Sequence, residues 1–383
     1  MEMKNYLNSR VYKVSRSPIR EFAAMAASVE GCLSLTLGEP DFDTPECVNE
    51  QVPVALANHE THYIHNCGSM ELRKKIADFE NERYGMDYKP TETIVTVGAT
   101  EAIYTALYGV LNEGDEVIIF TPASLLYDEA AKLCGGKPVF VDTTEDGFQV
   151  TKEKLEAAMS DKTKVIIINT PNNPTGCVLN KESLDIIHDA VKDKPIFVIC
   201  DDVYRQLTYT DDYHSFMEYR DLREQLILVQ SFSKPYAMTG WRMGYLIADA
   251  SIEERLELVH QYLITSTPAP FQRACMAAID FDPTPFKESY VTRRDYVLER
   301  LEKMKLEVTK PDGAFYVFPS IKEFNMTSLD FCTRLVKEAK VAVTPGFCFG
   351  SDTNFRISYC CSQEVLVEAM NRLEKFVNEL RKG

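Results

Sequence analysis

Between residues 93 and 247 the chain alternates two patterns of apolar and polar positions. Short apolar, β-branched runs recur at Thr93–Val97, Glu116–Phe120, Pro138–Val141, Lys164–Asn169, Ile196–Cys200, Leu226–Gln230 and Gly244–Ile247. Several lack a polar face, as strands buried on both sides do. Stretches with helical spacing lie between them, such as Glu101–Leu111 and Lys181–Val191. This alternation predicts an α/β unit around a mostly parallel, seven-stranded sheet. After about Asp282 the pattern changes to a long charged helix through Tyr290–Lys303, short strands near Phe315–Phe318 and Phe355–Tyr359, and a last helix from Gln363 to Leu380. That part reads as a smaller α+β domain, which the first forty residues join because the central sheet begins only later. The expected division is a large domain over 45–282 and a small one formed by 1–44 and 283–383. A chain of 383 residues exceeds what one core usually supports.

Composition narrows the classes. Hydrophobic residues make up 45% and charged residues 26%, which fits a globular fold without a disordered tract. A net charge of -16 repels phosphate backbones and argues against nucleic acid as a partner. Eleven cysteines with no CxxC pair read as reduced thiols, and the stretch Met1–Arg20 has no apolar signal core. No apolar run is long enough to span a bilayer. The expected compartment is therefore the cytoplasm, with no membrane contact. The six histidines, His59, His62 and His65 among them, show no metal-ligand spacing, so no metal is expected.

In open parallel sheets, ligands bind beyond the carboxyl ends of the strands, and the reactive groups of this sequence fall there. Gly98-Ala99-Thr100-Glu101 follows the first run and opens a helix. Thr100 can cap that helix, whose N-terminal amides favour an anion. Lys234, in Ser231-Phe232-Ser233-Lys234, reads either as a loop lysine with its head in water or as a Schiff-base lysine made nucleophilic by desolvation. Arg242 is either a surface ion-pair residue or, beside Lys234 and two hydroxyls, a phosphate clamp. The loop from Asn169 to Gly176 sets two prolines around Asn172 and Asn173, which places the Asn173 amide rigidly at the same rim. Asp201 ends a very apolar strand, where a carboxylate needs a partner: a structural cation or a pyridinium nitrogen. Tyr204 follows within reach of the same ligand. Arg356, in an apolar strand of the second domain, either faces water or grips a carboxylate.

These residues, with Gly38-Glu39-Pro40-Asp41-Phe42, Tyr63, Gly68, Leu72-Arg73 and Phe355-Arg356-Ile357-Ser358, resemble in order and over essentially the whole chain the fold-type-I aminotransferases dependent on pyridoxal 5'-phosphate, the group of aspartate aminotransferase. The resemblance implies that Lys234 carries the cofactor as a Schiff base and moves the substrate proton. Asp201 would pair the pyridine nitrogen, and Asn173 and Tyr204 would hold the phenolate oxygen. Ala99, Thr100, Ser231 and Arg242 would bind the phosphate. Arg356, helped by Asn173 and the Gly38 backbone, would bind the substrate α-carboxylate. Tyr63 would reach the phosphate of a second subunit, which implies a homodimer. The implied reaction is amino-group transfer from an amino acid to a 2-oxo acid by a ping-pong mechanism. Alternatives on the same scaffold are a carbon–sulfur β-lyase, an oxidase-like enzyme, and a non-enzymatic regulatory protein. No second arginine can be assigned to a side-chain carboxylate.

One position departs from the family. Relatives carry a ring-stacking aromatic two residues after the proline of the loop that here reads Thr121-Pro122-Ala123-Ser124-Leu125-Leu126-Tyr127, so Ser124 stands in its place. Tyr127 swinging in, or Leu125 covering the ring, are the expected substitutes. Losing the aromatic face removes about 1 kcal/mol of stacking, so Ser124→Tyr is expected to tighten the cofactor dissociation constant severalfold in an absorbance titration. An unchanged constant counts against a stacking role for this position.

Overall fold

The computed structural model describes residues 2–382. Its strands are β1 (Leu33–Ser34), β2 (Thr93–Thr96), β3 (Glu116–Thr121), β4 (Lys137–Asp142), β5 (Thr163–Asn169), β6 (Phe197–Asp201), β7 (Leu226–Ser231), β8 (Gly244–Ala248), β9 (Tyr316–Val317), β10 (Val341–Ala342), β11 (Thr344–Pro345) and β12 (Phe355–Ser358). β2 to β8 form one seven-stranded sheet in the order β2-β8-β7-β6-β5-β3-β4, each strand within a residue or two of its predicted place. The sheet is α/β and mostly parallel, as expected. β8 alone runs antiparallel to both of its neighbours, β2 and β7.

That reversal positions the site. The ends of β2, β5, β6 and β7 lie on one edge, and β8 starts there, so Arg242 and Gly244 arrive at the edge where the other strands finish. Register puts Gly244 between Thr96 and Ser231. A Cβ on Gly244 would lie 2.6 Å from the Gln230 carbonyl oxygen and 2.9 Å from the Ala99 nitrogen. Only glycine lets the helix Gly98–Val110 come down against the strand at this point.

Alternate residues of each strand point to opposite faces. Val95, Ile118, Ile166, Val198 and Leu228 belong to one apolar core. Ile94, Val117, Ile167, Ile199 and Ile227 belong to the other. A third core lies apart from the sheet faces, where Phe315, Val317, Phe331, Phe355, Ile357 and Leu373 pack under the helices Thr284–Lys303 and Gln363–Leu380. Phe22, Ala26 and Leu35 join it, and β1 pairs with β10. The N-terminal stretch divides its contacts: Arg10 donates to Glu113 at 2.5 Å and Ser15 to Glu129 at 3.3 Å, both on the sheet side.

Behind the end of β6, polar groups are buried and matched. Both terminal nitrogens of Arg205 donate to Glu80, at 2.9 and 2.8 Å, and the Tyr245 hydroxyl adds a third donor at 2.6 Å. Tyr84 and Ser215 donate to Asp202 at 2.7 and 3.0 Å. This network fixes the backbone that carries Asp201. Removing one member of a buried pair strands the other charge at a cost of about 3–5 kcal/mol. Arg205→Ala is therefore expected to lower unfolding free energy by that amount in a urea titration, and a loss below about 1 kcal/mol would show that water reaches Glu80.

Candidate active site

Beyond the strand ends lies a cavity of about 240 Å³. Ala99, Thr100, Ser124, Asn173, Asp201 and Tyr204 line it together with Ser231, Lys234 and Arg242. The structure thus brings together residues that the sequence spreads over 144 positions. Gly38 and Arg356 adjoin it: the Gly38 carbonyl accepts from Lys234 Nζ at 2.5 Å, and Arg356 Nη1 donates to Asn173 Oδ1 at 2.7 Å. Tyr63 is not in the cavity; it stands 90% exposed on the surface.

Asp201 is buried and, among the described residues, has no cationic partner within ion-pair distance. Its carboxylate accepts from the Tyr127 hydroxyl at 2.6 Å and from the Val203 amide at 3.4 Å. Burial pushes the carboxyl up to about 6, against the pull of the Tyr127 hydrogen bond, the Val203 amide and the Lys234 charge. Lys234 is displaced the other way, down to about 8. Burial is the main cause; Cys360 and Glu39 oppose it, and the positive charges of Arg356 and Arg242 add to it. The loop carrying Asn173 is tied to the sheet by Asn169, whose side chain donates to the Asp201 carbonyl and accepts the Asn173 amide, both at 2.9 Å.

Two expectations need correction. Thr100 does not cap the helix Gly98–Val110: the cap position is Val97, whose amide donates to Glu101 at 3.0 Å. A carboxylate in the first turn does the work assigned to a hydroxyl at its start. Tyr127 lines the cavity, with its hydroxyl donating to Asp201 at 2.6 Å. Leu125 does not cover the cavity; Leu126 lines it, while Ser124 serves as the N-cap of the helix Leu125–Leu133, accepting the Leu126 amide at 3.4 Å.

Sequence reasoning also missed Tyr316. Its hydroxyl meets the Tyr204 hydroxyl at 2.9 Å, its ring lies 4.5 Å from the Arg356 guanidinium, and a Cβ on residue 38 would fall 2.0 Å from its oxygen. Gly38 is therefore glycine because Tyr316 occupies the side-chain space. Nothing in the local sequence around Tyr316 marks it, since its partners lie far off in the chain. Arg356 is buried, gives Nη2 to the Thr36 carbonyl at 2.6 Å, and leaves Nε without a partner among the described residues.

A desolvated amine, a buried carboxylate lacking a cation, and a helix N-terminus beside an arginine make contradictory demands on any simple ligand. A molecule with a protonatable ring nitrogen at one end, a phosphate at the other and an aldehyde between them meets all three. The residues fit pyridoxal 5'-phosphate, and the fold and site define an enzyme of fold type I that uses it. The family model for aminotransferases of class I and II matches residues 30–373, and the chain belongs to that family. It is 39% identical over 387 residues to a probable N-acetyl-LL-diaminopimelate aminotransferase of Bacillus subtilis, covering 100% of this chain and 98% of the relative. It is 38% identical to aromatic-amino-acid aminotransferase 2 of Thermococcus litoralis, covering 97% and 98%. The solved aspartate aminotransferase of Thermotoga maritima superposes with a TM-score of 0.94 at 35% identity, covering 97% of this chain and 100% of that one. The protein is a pyridoxal-phosphate-dependent aminotransferase, and none of these relatives favours the lyase, oxidase or regulatory alternatives.

The lowered pKa of Lys234 sets a pH dependence. Its neutral, nucleophilic form grows as pH rises through about 8. The rate at which cofactor-free enzyme captures pyridoxal phosphate, followed by stopped-flow absorbance, is expected to rise with a midpoint near that value. A midpoint at the ordinary lysine position near 10.5 would mean that the amine is hydrated.

Proposed function

We propose that the chain transfers an amino group from an amino acid with a long polar side chain to a 2-oxo acid, with Lys234 moving the proton. Bound pyridoxal phosphate supplies an electron sink that acidifies the donor Cα–H. Lys234, whose amine burial displaces towards its neutral form, would accept that proton and hold it for return. Asp201 holds a proton on the ring nitrogen. Asn173 and Tyr204 hold the phenolate oxygen, and Ala99, Thr100, Ser231 and Arg242 hold the phosphate. Arg356 takes the substrate α-carboxylate, beside Asn173, to which its Nη1 donates at 2.7 Å, and the Gly38 backbone. The observation that carries this assignment is the pairing of Lys234 and Asp201 around one cavity, each displaced by burial towards its neutral form.

The preference for a long side chain rests on the wide opening that begins where the cavity ends. A recess of about 710 Å³ shares Ser124 and Leu126 with the cofactor cavity and is lined further by Arg16, Arg20 and Glu129. Ser124, a small residue, stands on the wall that the two share. The recess carries both signs of charge, which suits a chain ending in a polar or zwitterionic group, as the substrate named for the Bacillus relative does.

We also assign a homodimer, in which Tyr63 reaches the phosphate of the second subunit; its 90% exposure supports that reading. The division into 45–282 and 1–44 with 283–383 is supported by separate apolar cores. The cytoplasm suits the eleven free cysteines. No helix among the described residues is long and apolar enough to cross a membrane.

The yellow absorbance of the loaded enzyme is expected to disappear with a suitable amino acid and return with a 2-oxo acid, and Lys234→Ala is expected to abolish both changes. In a donor series, kcat/KM for an N-acetylated diamino acid is expected to exceed that for aspartate by about tenfold or more, equivalent to about 1.4 kcal/mol. A preference for aspartate overturns the substrate reading and leaves the transamination intact.

A further inference from the structure

A second cluster of chemically competent side chains lies outside the cofactor cavity. The helix Ala250–Ile264 presents Glu253 and Glu257 one turn apart on the same face. The loop after Tyr63 brings His65 and Cys67 to that face. Cys67 Sγ, a ring nitrogen of His65 and a carboxylate oxygen of Glu257 all lie within 4.8 Å of one another. Glu253 Oε1 lies 3.9 Å from the same sulfur.

Glu253 makes this more than a chance gathering. It is only 6% exposed, yet its one hydrogen-bond partner among the described residues is the Cys67 thiol, a weak donor. No lysine, arginine or histidine among the described residues comes within ion-pair distance of either Glu253 or Glu257. Arg73 is buried close by but is committed elsewhere: Nε donates to the Thr93 carbonyl at 2.9 Å, and Nη1 lies 3.5 Å from His65 Nδ1. Buried carboxylates are ordinarily paired or ligate a metal. His65 is exposed, but its Nδ1 faces the cluster, where it accepts the Cys67 amide at 3.2 Å, a bond that a cation taking that lone pair replaces. The loop is held in place independently. Asn66 accepts from His260 Nε2 at 2.9 Å, the Cys67 carbonyl accepts the Val95 amide at 2.9 Å, and Gln272 accepts the Ser69 amide at 2.7 Å.

We propose that His65, Cys67, Glu253 and Glu257 form a structural site for a divalent transition metal of the zinc type. One thiolate, one imidazole and two carboxylates are borderline-soft donors suited to four-coordinate Zn²⁺, and four protein ligands leave no open position, which marks a structural rather than a catalytic ion. With Zn–S near 2.3 Å and Zn–N near 2.0–2.1 Å, neighbouring donors of a tetrahedron stand roughly 3.5 Å apart, so His65, Cys67 and Glu257, whose donors lie within 4.8 Å of one another, and Glu253, 3.9 Å from the sulfur, draw together on binding. Cys67 releases its proton to solvent as it takes the metal. Counting Arg73, the cluster then holds three positive charges against one thiolate and two carboxylates, which cancels. The ion ties the Tyr63 loop to the helix Ala250–Ile264.

The test uses the full-length, cofactor-loaded enzyme, freed of metal by a chelator and titrated with Co²⁺. Thiolate-bound tetrahedral cobalt absorbs in the red, away from the yellow cofactor band. The expected result is a red band that saturates at one Co²⁺ per chain, is displaced by Zn²⁺, and is absent in Cys67→Ser. His65→Gln, a change at an exposed residue with little risk to folding, is expected to weaken the apparent affinity tenfold or more. Cys47→Ser, at an exposed cysteine away from the cluster, is expected to leave the band unchanged. The proposal is overturned if no red band forms in the parent enzyme, if the band survives Cys67→Ser, or if it is unaffected by His65→Gln.

Discussion

The site turns on a negative charge at the end of a strand that is buried on both faces. Asp201 closes β6, between β5 and β7, and among the described residues no cation neutralises it. A buried carboxylate in that position is tolerable only if its surroundings hold it rigidly and a ligand completes it. The first condition is met by the Tyr127 hydroxyl in front and by the matched Arg205–Glu80 and Asp202 network behind. The proposed cofactor would meet the second: Asp201 would keep its ring nitrogen protonated, and the ring would then supply an electron sink.

The antiparallel β8 solves a related problem at the other end of the cavity, where we place the phosphate. A phosphate needs donors from several directions, and a parallel strand in that position would send Arg242 to the far edge of the sheet. Reversing β8 brings Arg242 in at the start of the strand, with its own backbone in the left-handed region at φ 56° and Nη1 held by the Thr239 carbonyl at 2.8 Å. Gly244 then lets the Gly98 helix settle against β8. The helix N-terminus, Ser231 and Arg242 thereby converge on one point, which neither the helix nor the strand could achieve alone.

Much of this was legible in the sequence because strand ends and reactive residues coincide. Asn173, Asp201, Ser231 and Lys234 each follow an apolar run, and a parallel sheet gathers such ends on one edge whatever the loops do. Ion pairs, caps and second partners were less legible, because they depend on contacts between distant segments. Tyr316 reaches Tyr204 across 112 positions, and Cys67 reaches Glu253 across 186. Histidine spacing gave no metal pattern because the histidine and cysteine come from a loop and the carboxylates from a helix far along the chain. Thr100 misled for a local reason: a hydroxyl near a helix start suggests a cap, but the helix begins at Gly98, which puts Thr100 inside the first turn, and Glu101 accepts the Val97 amide.

The two displaced groups of the active site act on stability in opposite pH directions, and their windows overlap. Asp201 titrates near 6 in the fold against 3.8 when unfolded, so the fold favours its protonated form; the resulting penalty is absent below about 3.8 and complete above about 6. Lys234 titrates near 8 against 10.5, so the fold favours its neutral form; that penalty is absent above about 10.5 and complete below about 8. Between pH 6 and 8 the cofactor-free protein carries both, each about 3 kcal/mol. In the proposed roles the cofactor would relieve them together, because it would give the carboxylate a cation and use the amine in its neutral form. Binding is therefore favoured in the range where the empty fold is most burdened, and the same burial that destabilises the empty site tunes the lysine for proton transfer.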